Sequence, residues 1–193
     1  MTQGFWSALS NPIFVLAPLA GVTDAAFRRI IAKYGKPDVM FTEFTSADGL
    51  CSRGREALLI DLTYCESERP IVAQLFGSNP DTMEQASCLA RELGFDGIDI
   101  NMGCPDKGIE RQGAGAAHIK NPKLAQEVIA AAIRGAGPLP VSVKTRIGYS
   151  KDILEQWLPY LLEMQLAAIT VHGRTRKEMS KVPAHWDAIG RAV

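Results

Sequence analysis

With 193 residues, 47% hydrophobic and 22% charged, the chain is sized for one full core and gives no reason to expect two domains. Its 21 basic and 21 acidic residues balance. That excludes a global electrostatic pull toward RNA or an anionic membrane and leaves any nucleic-acid affinity to a local patch.

Six short β-type runs are read in chain order: Ile13–Ala17, Asp38–Glu43, Ile71–Phe76, Gly97–Asn101, Val141–Thr145 and Ala168–His172. Their apolar, often β-branched content is that of parallel strands buried on both faces. Between them lie helices with readable ends. The segment after Thr23 sets Phe27, Ile30, Ile31 and Tyr34 on one face and stops at Gly35. Asn79-Pro80 and Asn121-Pro122 each offer an N-cap followed by proline at the first helical position. The first of these helices buries Met83, Ala86, Ala90 and Leu93 before Gly94, the second Leu124, Val128, Ile129 and Ala132 before Gly135. Pro159 predicts a kink near Trp157 or a later helix start.

Repeated strand-helix units imply an α/β parallel sheet, either a closed (β/α) barrel or an open doubly wound one. No Gly-rich dinucleotide fingerprint follows the first strand, and GAGAAH lacks the third glycine. The four cysteines, Cys51, Cys65, Cys88 and Cys104, form no CxxC pair, so no metal site is expected. The start MTQGFWSALSNP lacks the basic region and long apolar core of a signal peptide, and no apolar run approaches membrane-spanning length. Reduced thiols in the cytoplasm are the expectation.

Barrel active sites form at the carboxyl ends of strands. Here those ends read Pro18-Leu19-Ala20-Gly21, Glu43, Gln74, Asn101 to Pro105, Lys144 with Arg146, and His172 with Arg174. Taken singly, Gln74 and His172 read as structural residues and a lone cysteine as a small buried hydrophobe. Cys104 stands apart, because glycine and proline flank it in a polar loop where packing gives no reason for a thiol. Chemically the set suits a reduced flavin. Gln74 can hydrogen-bond the ring edge, Lys144 and His172 can supply positive charge, and the Pro18–Gly21 turn lets backbone approach the ring.

The segments LAPLAGVTDAAFRR, PIVAQLFGSNP, GFDGIDINMGCPDKGIERQGAGAA, PVSVKTRIG and ITVHGRTR resemble the ordered motifs of the tRNA-dihydrouridine synthases over nearly the whole chain. The resemblance implies a (β/α)8 TIM barrel that binds FMN, with NADPH (or NADH) as reductant. It also implies reduction of the carbon 5–carbon 6 double bond of uridines in tRNA. Cys104 would protonate carbon 5, a role that fits a thiol of ordinary pKa, roughly 8.5. Asn101, Arg174 and Arg176 match substrate positions; Pro18, Leu19, Ala20, Gln74, Lys144 and His172 match FMN contacts. The target base would have to be flipped from its stack. The run Arg174, Arg176, Lys177 and Lys181 is the best local phosphate-binding candidate.

A full barrel needs eight strands and about 250 residues. The resemblance therefore makes residues 1–193 a single, incomplete catalytic barrel of about six βα units. Its last strands and a helical tRNA-binding domain would lie beyond the chain. His118 stands where the family commonly has an aliphatic residue. Two alternatives stay open: an FMN barrel acting on a small molecule, and a non-catalytic remnant.

Overall fold

The computed structural model describes residues 4–193. Seven strands form one all-parallel sheet: β1 (Val15–Leu16), β2 (Val39–Phe41), β3 (Thr45–Ser46), β4 (Ile71–Phe76), β5 (Gly97–Met102), β6 (Val141–Arg146) and β7 (Ala168–His172). The path runs β1-β2-β4-β5-β6-β7, and β3 pairs β4 off this path. The six strands of the path curl into a half-barrel with helices on the outside, a partial TIM barrel.

Alternation along each strand sends side chains to opposite faces. Met40, Ile71, Ala73, Leu75, Ile98, Ile100, Val141 and Val143 join the main core, where the helices Pro80–Glu92 and Pro122–Ala136 pack. On the concave side Val39, Phe41 and Val72 form a second cluster with Phe5, Trp6, Leu9 and Ile13. The amino-terminal turn thus closes the bottom of the half-barrel and leaves the carboxyl ends of the strands open.

The six expected strands are all present. The first is reduced to Val15–Leu16; just before it, Phe14 N–H donates to the Asp38 side chain at 2.7 Å and not to backbone. Strand β3 went unread in the sequence, since Thr45 and Ser46 carry no apolar pattern. Asn79 and Asn121 cap their helices as expected, accepting from Asp81 and Leu124 N–H. The second of these runs past Gly135 to Ala136, a correction with a steric cause. A Cβ on Gly135 would lie 2.1 Å from the Glu84 carbonyl, so glycine is what lets the two helices touch. The helix Leu154–Leu162 neither breaks at nor starts after Pro159; Trp157 anchors it, donating Nε1–H to Thr145 Oγ1 at 3.0 Å.

The helix Ala25–Gly35 departs most from expectation. It is capped by Asp24, and Phe27, Ile30 and Tyr34 on its apolar face are exposed, Tyr34 to 75%. The helix lies beside β1, which among the described residues pairs only with β2, so no described strand lies beyond β1 on that side. Among the described residues no helix is long and apolar enough to cross a membrane.

Candidate active site

Strand β5 delivers the reactive loop. All six of its residues are buried, and it ends on Asn101-Met102-Gly103-Cys104-Pro105. The Asn101 side-chain oxygen accepts from Gly103 N–H at 3.1 Å and Cys104 N–H at 2.9 Å, folding the loop back over the strand end. Arg146 on β6 donates Nε–H to the Gly103 carbonyl at 2.7 Å. The Cys104 carbonyl accepts from Ala116 N–H at 3.0 Å. Asp106 then caps the short helix Lys107–Arg111. Cys104 is a free, half-buried thiol whose pKa is pushed up, first by burial. The Asp106 backbone N–H and the Arg146 charge favour the thiolate, while the carboxylates of Asp106 and Glu110 add to the rise. The thiol is the resting form, with stabilising groups at hand for a thiolate.

The opposite wall is the turn after β1. Leu19 N–H donates to Thr23 Oγ1 at 2.9 Å, and Gly21 N–H donates to Glu43. Below it Arg28 is buried, with Nε–H on Glu68 at 2.6 Å, Nη1 on the Thr23 carbonyl at 2.9 Å and Nη2 on the Thr63 carbonyl at 2.6 Å. Such a pair is weak evidence for stability but fixes geometry. Here it pins the end of the Pro18–Thr23 turn.

A cleft of about 570 Å³ lies between these walls, at the carboxyl ends of β5, β6 and β7. Pro18, Leu19, Ala20, Asn101, Cys104, Lys144, His172 and Arg174 line it, joined by Arg146, Phe44, Thr170 and Ser180. Eight of the ten residues named from the sequence therefore meet in one place. Lys144 is largely desolvated, and burial pushes its pKa down. Among the described residues its ammonium has no hydrogen bond or ion pair; the field of buried Asp99 partly offsets the cost. Nearby, His172 Nε2 faces Arg174 Nη1 at 3.0 Å. A guanidinium can only donate, so Nε2 is the acceptor and the proton sits on Nδ1. Burial, then the positive charges of Arg146, Lys144 and Arg174, lower this imidazole to about 4. His172 is thus neutral near pH 7, and the expectation that it supplies positive charge is corrected.

Two sequence-named residues lie elsewhere. Gln74 on β4 is 0% exposed and sits beneath the cleft, with Nε2 donating to Asp99 at 2.6 Å and Oε1 accepting from Asn101 at 3.1 Å. Arg176 points away from the cleft. Its guanidinium pairs with Glu110 through Nε, at 2.7 Å, and through Nη2, which also reaches the Pro105 carbonyl at 3.1 Å. The basic run is therefore not a free patch: Arg174 holds the Val182 carbonyl at 2.6 Å, while Lys177 and Lys181 are exposed.

Arg146 and Asp99 carry more of the site than their positions in the sequence suggested. Arg146 also donates to the Thr175 and Met179 carbonyls, both at 3.1 Å, knitting the loops after β5 and β7. Its signal was its place two residues beyond Lys144. His118 is fully buried, with Nε2 3.1 Å from the Gly77 carbonyl. Burial lowers its pKa, so it fills an aliphatic site as a neutral ring. No cluster of metal-ligating side chains exists among the described residues.

Residues 15–192 match the family described as Dihydrouridine synthase (Dus). The chain is 47% identical over 191 residues to a "Probable tRNA-dihydrouridine synthase 2" of Bacillus subtilis (strain 168). It is 44% identical over 191 residues to a "Probable tRNA-dihydrouridine synthase" of Staphylococcus aureus (strain COL). Each alignment covers 98% of this chain and 58% of the relative, so the chain spans a little over half the length of these proteins. A half-barrel whose strand ends carry the Asn-Met-Gly-Cys-Pro loop, matched over almost its whole length, belongs to the dihydrouridine synthase family.

Proposed function

We propose that this chain is the FMN-binding catalytic part of a tRNA-dihydrouridine synthase, working on tRNA in the cytoplasm with NADPH (or NADH) as reductant. The observation that carries the reading is the meeting of an unpartnered, desolvated Lys144 ammonium with the Cys104 thiol in one cleft. Its volume, about 570 Å³, falls within the roughly 300–1,000 Å³ of small-molecule and cofactor sites. Its donor set suits a flavin: an apolar wall at Pro18 to Ala20, a cation at Lys144, and the neutral ring of His172.

FMN, when bound, would supply the hydride that carbon 6 of the target uracil needs. Lys144 stabilises negative charge on the ligand, and its desolvation makes that contact stronger than it would be in water. The Pro18–Ala20 turn would hold the flavin from its side of the cleft. Asn101 and Arg174 line the cleft where the base enters, and the flipped base is positioned there. Cys104 gives its Sγ proton to carbon 5. The thiolate left behind meets the Asp106 N–H and the Arg146 charge, and takes a proton back from solvent. Gln74 acts from beneath, through Asn101. Arg176 acts on the loop that carries Cys104.

The full-length protein, purified and given unmodified tRNA and NADPH, tests this. Yellow protein and dihydrouridine in the tRNA are the expected result. Colourless protein that takes up no FMN, or flavoprotein that leaves every uridine intact, overturns it.

A further inference from the structure

The floor of the cleft is a continuous line of polar contacts across β6, β5 and β4. Ser142 Oγ–H donates to Asp99 Oδ1 at 2.6 Å, and Gln74 Nε2–H donates to Asp99 Oδ2 at 2.6 Å. Gln74 Oε1 accepts from Asn101 Nδ2–H at 3.1 Å, and Asn101 Oδ1 accepts from the Gly103 and Cys104 backbone. Asp99, Gln74 and Ser142 are buried.

Each link fixes the polarity of the next. An ionised carboxylate only accepts, so Gln74 must turn its NH2 toward Asp99. Its oxygen then faces Asn101, which must answer with its own NH2. The oxygen of Asn101 is left to face the loop. We propose that Asp99 is a positioning residue: its carboxylate sets the direction of the Gln74–Asn101 amide relay and so holds the loop that carries Cys104. This rests on the reading of Cys104 as the proton donor, but its test does not.

The relay has a release. Burial raises Asp99 to about 6, against the hydrogen bonds from Ser142 and Gln74 and the charge of Lys144. Lys144 on β6 is the charged group acting on it; Gln74 on β4 and Ser142 on β6 are neutral. Of the other titrating groups of the cleft, His172 lies below this window, at about 4, Cys104 is pushed above its ordinary value, and burial pushes Lys144 down from its own. Once protonated, Asp99 can donate to the Gln74 oxygen. Gln74 can then turn over and present NH2 to the NH2 of Asn101, which breaks the relay.

The test is nitrogen-15 NMR of the full-length protein between about pH 5 and about pH 7.5, a range that brackets the roughly one-unit spread of carboxyl values. It follows the Asn101 side-chain amide and the Gly103 and Cys104 backbone amides. Wild type should show these signals titrating together, with a midpoint near 6. The isosteric Asp99→Asn variant should lose the step, and Gln74→Met should uncouple Asn101 and Cys104 from it. Wild-type signals that stay flat, or a step that survives in Asp99→Asn, overturn the relay. These signals do not depend on turnover, so the relay can fail while Cys104 remains the acid, and the converse.

Discussion

Arg176 closes a two-pronged ion pair on Glu110, from the loop after β7 to the short helix that follows Cys104. The same guanidinium holds the Pro105 carbonyl, next to the thiol. Both side chains are mostly covered, Arg176 at 18% and Glu110 at 9% exposure. A planar fork matched to a carboxylate gives the contact direction as well as energy.

Arg176→Ala should therefore destabilise the fold by about 1.5–3 kcal/mol, the usual value of hydrogen bonds to charged groups. Turnover should fall with little change in tRNA affinity. The check is tRNA binding against salt: the slope of log K on log salt should not change. A slope smaller by about one would place Arg176 on a phosphate instead.

Two groups make stability depend on pH in opposite senses. His172 titrates near 4 when folded, against roughly 6.5 unfolded. The unfolded chain gains a proton first, so this part of the stability is lost as pH falls from about 6.5 to about 4. Asp99 titrates near 6 when folded, against roughly 3.9 unfolded. The folded chain then holds the extra proton, and stability falls as pH rises from about 4 to about 6. Urea midpoints at about pH 4.5 and about pH 6.5 check this. Relative to wild type, Asp99→Asn should gain stability over that rise and His172→Gln should lose it. Parallel curves for all three proteins contradict the assignment.

Much of this was legible in the sequence, for identifiable reasons. Strands β4 and β7 and the two asparagine-proline helix starts were read correctly because buried parallel strands and caps are local signals. The cleft was legible because reactive residues recur at successive strand ends. What escaped depends on contacts between distant residues. Periodicity showed which face of the helix Ala25–Gly35 is apolar, not that Phe27, Ile30 and Tyr34 lack a cover. Arg176 read as a free cation because its partner Glu110 lies far back in the chain. The neutral state of His172 follows from burial and then from three cations, all of which only folding brings about.

Gly115 holds a positive φ of 60°, and a Cβ there would lie 2.8 Å from the Cys104 carbonyl. Gly115→Ala carries both backbone strain and overpacking, together roughly 2–6 kcal/mol. The variant should melt earlier, and alkylation of Cys104 should change its rate while that of Cys88 does not. Peptide-resolved mass spectrometry reads this; an unchanged Cys104 rate would show that the carbonyl contact does not hold the loop.

Lys144 is desolvated with no hydrogen bond or ion pair among the described residues, a cost that the field of Asp99 offsets only in part. Lys144→Met should leave the ligand-free fold as stable as wild type or more so. FMN affinity should fall at least about tenfold, the equivalent of roughly 1.4 kcal/mol. Thermal melts with and without FMN separate these effects. A variant that loses stability without ligand and keeps its affinity would make Lys144 a structural residue.

Cys104→Ala in the full-length protein tests the central assignment most directly. In the proposed mechanism the thiol meets the substrate and not the flavin, so NADPH should still bleach the bound flavin at the wild-type rate. Recovery of the yellow colour on adding unmodified tRNA should slow by about 10²–10⁴-fold, the usual value of general-acid catalysis. Stopped-flow absorbance follows both halves in one protein. Slow recovery after normal bleaching is the predicted result; recovery with tRNA as fast as in wild type would contradict Cys104 as the acid.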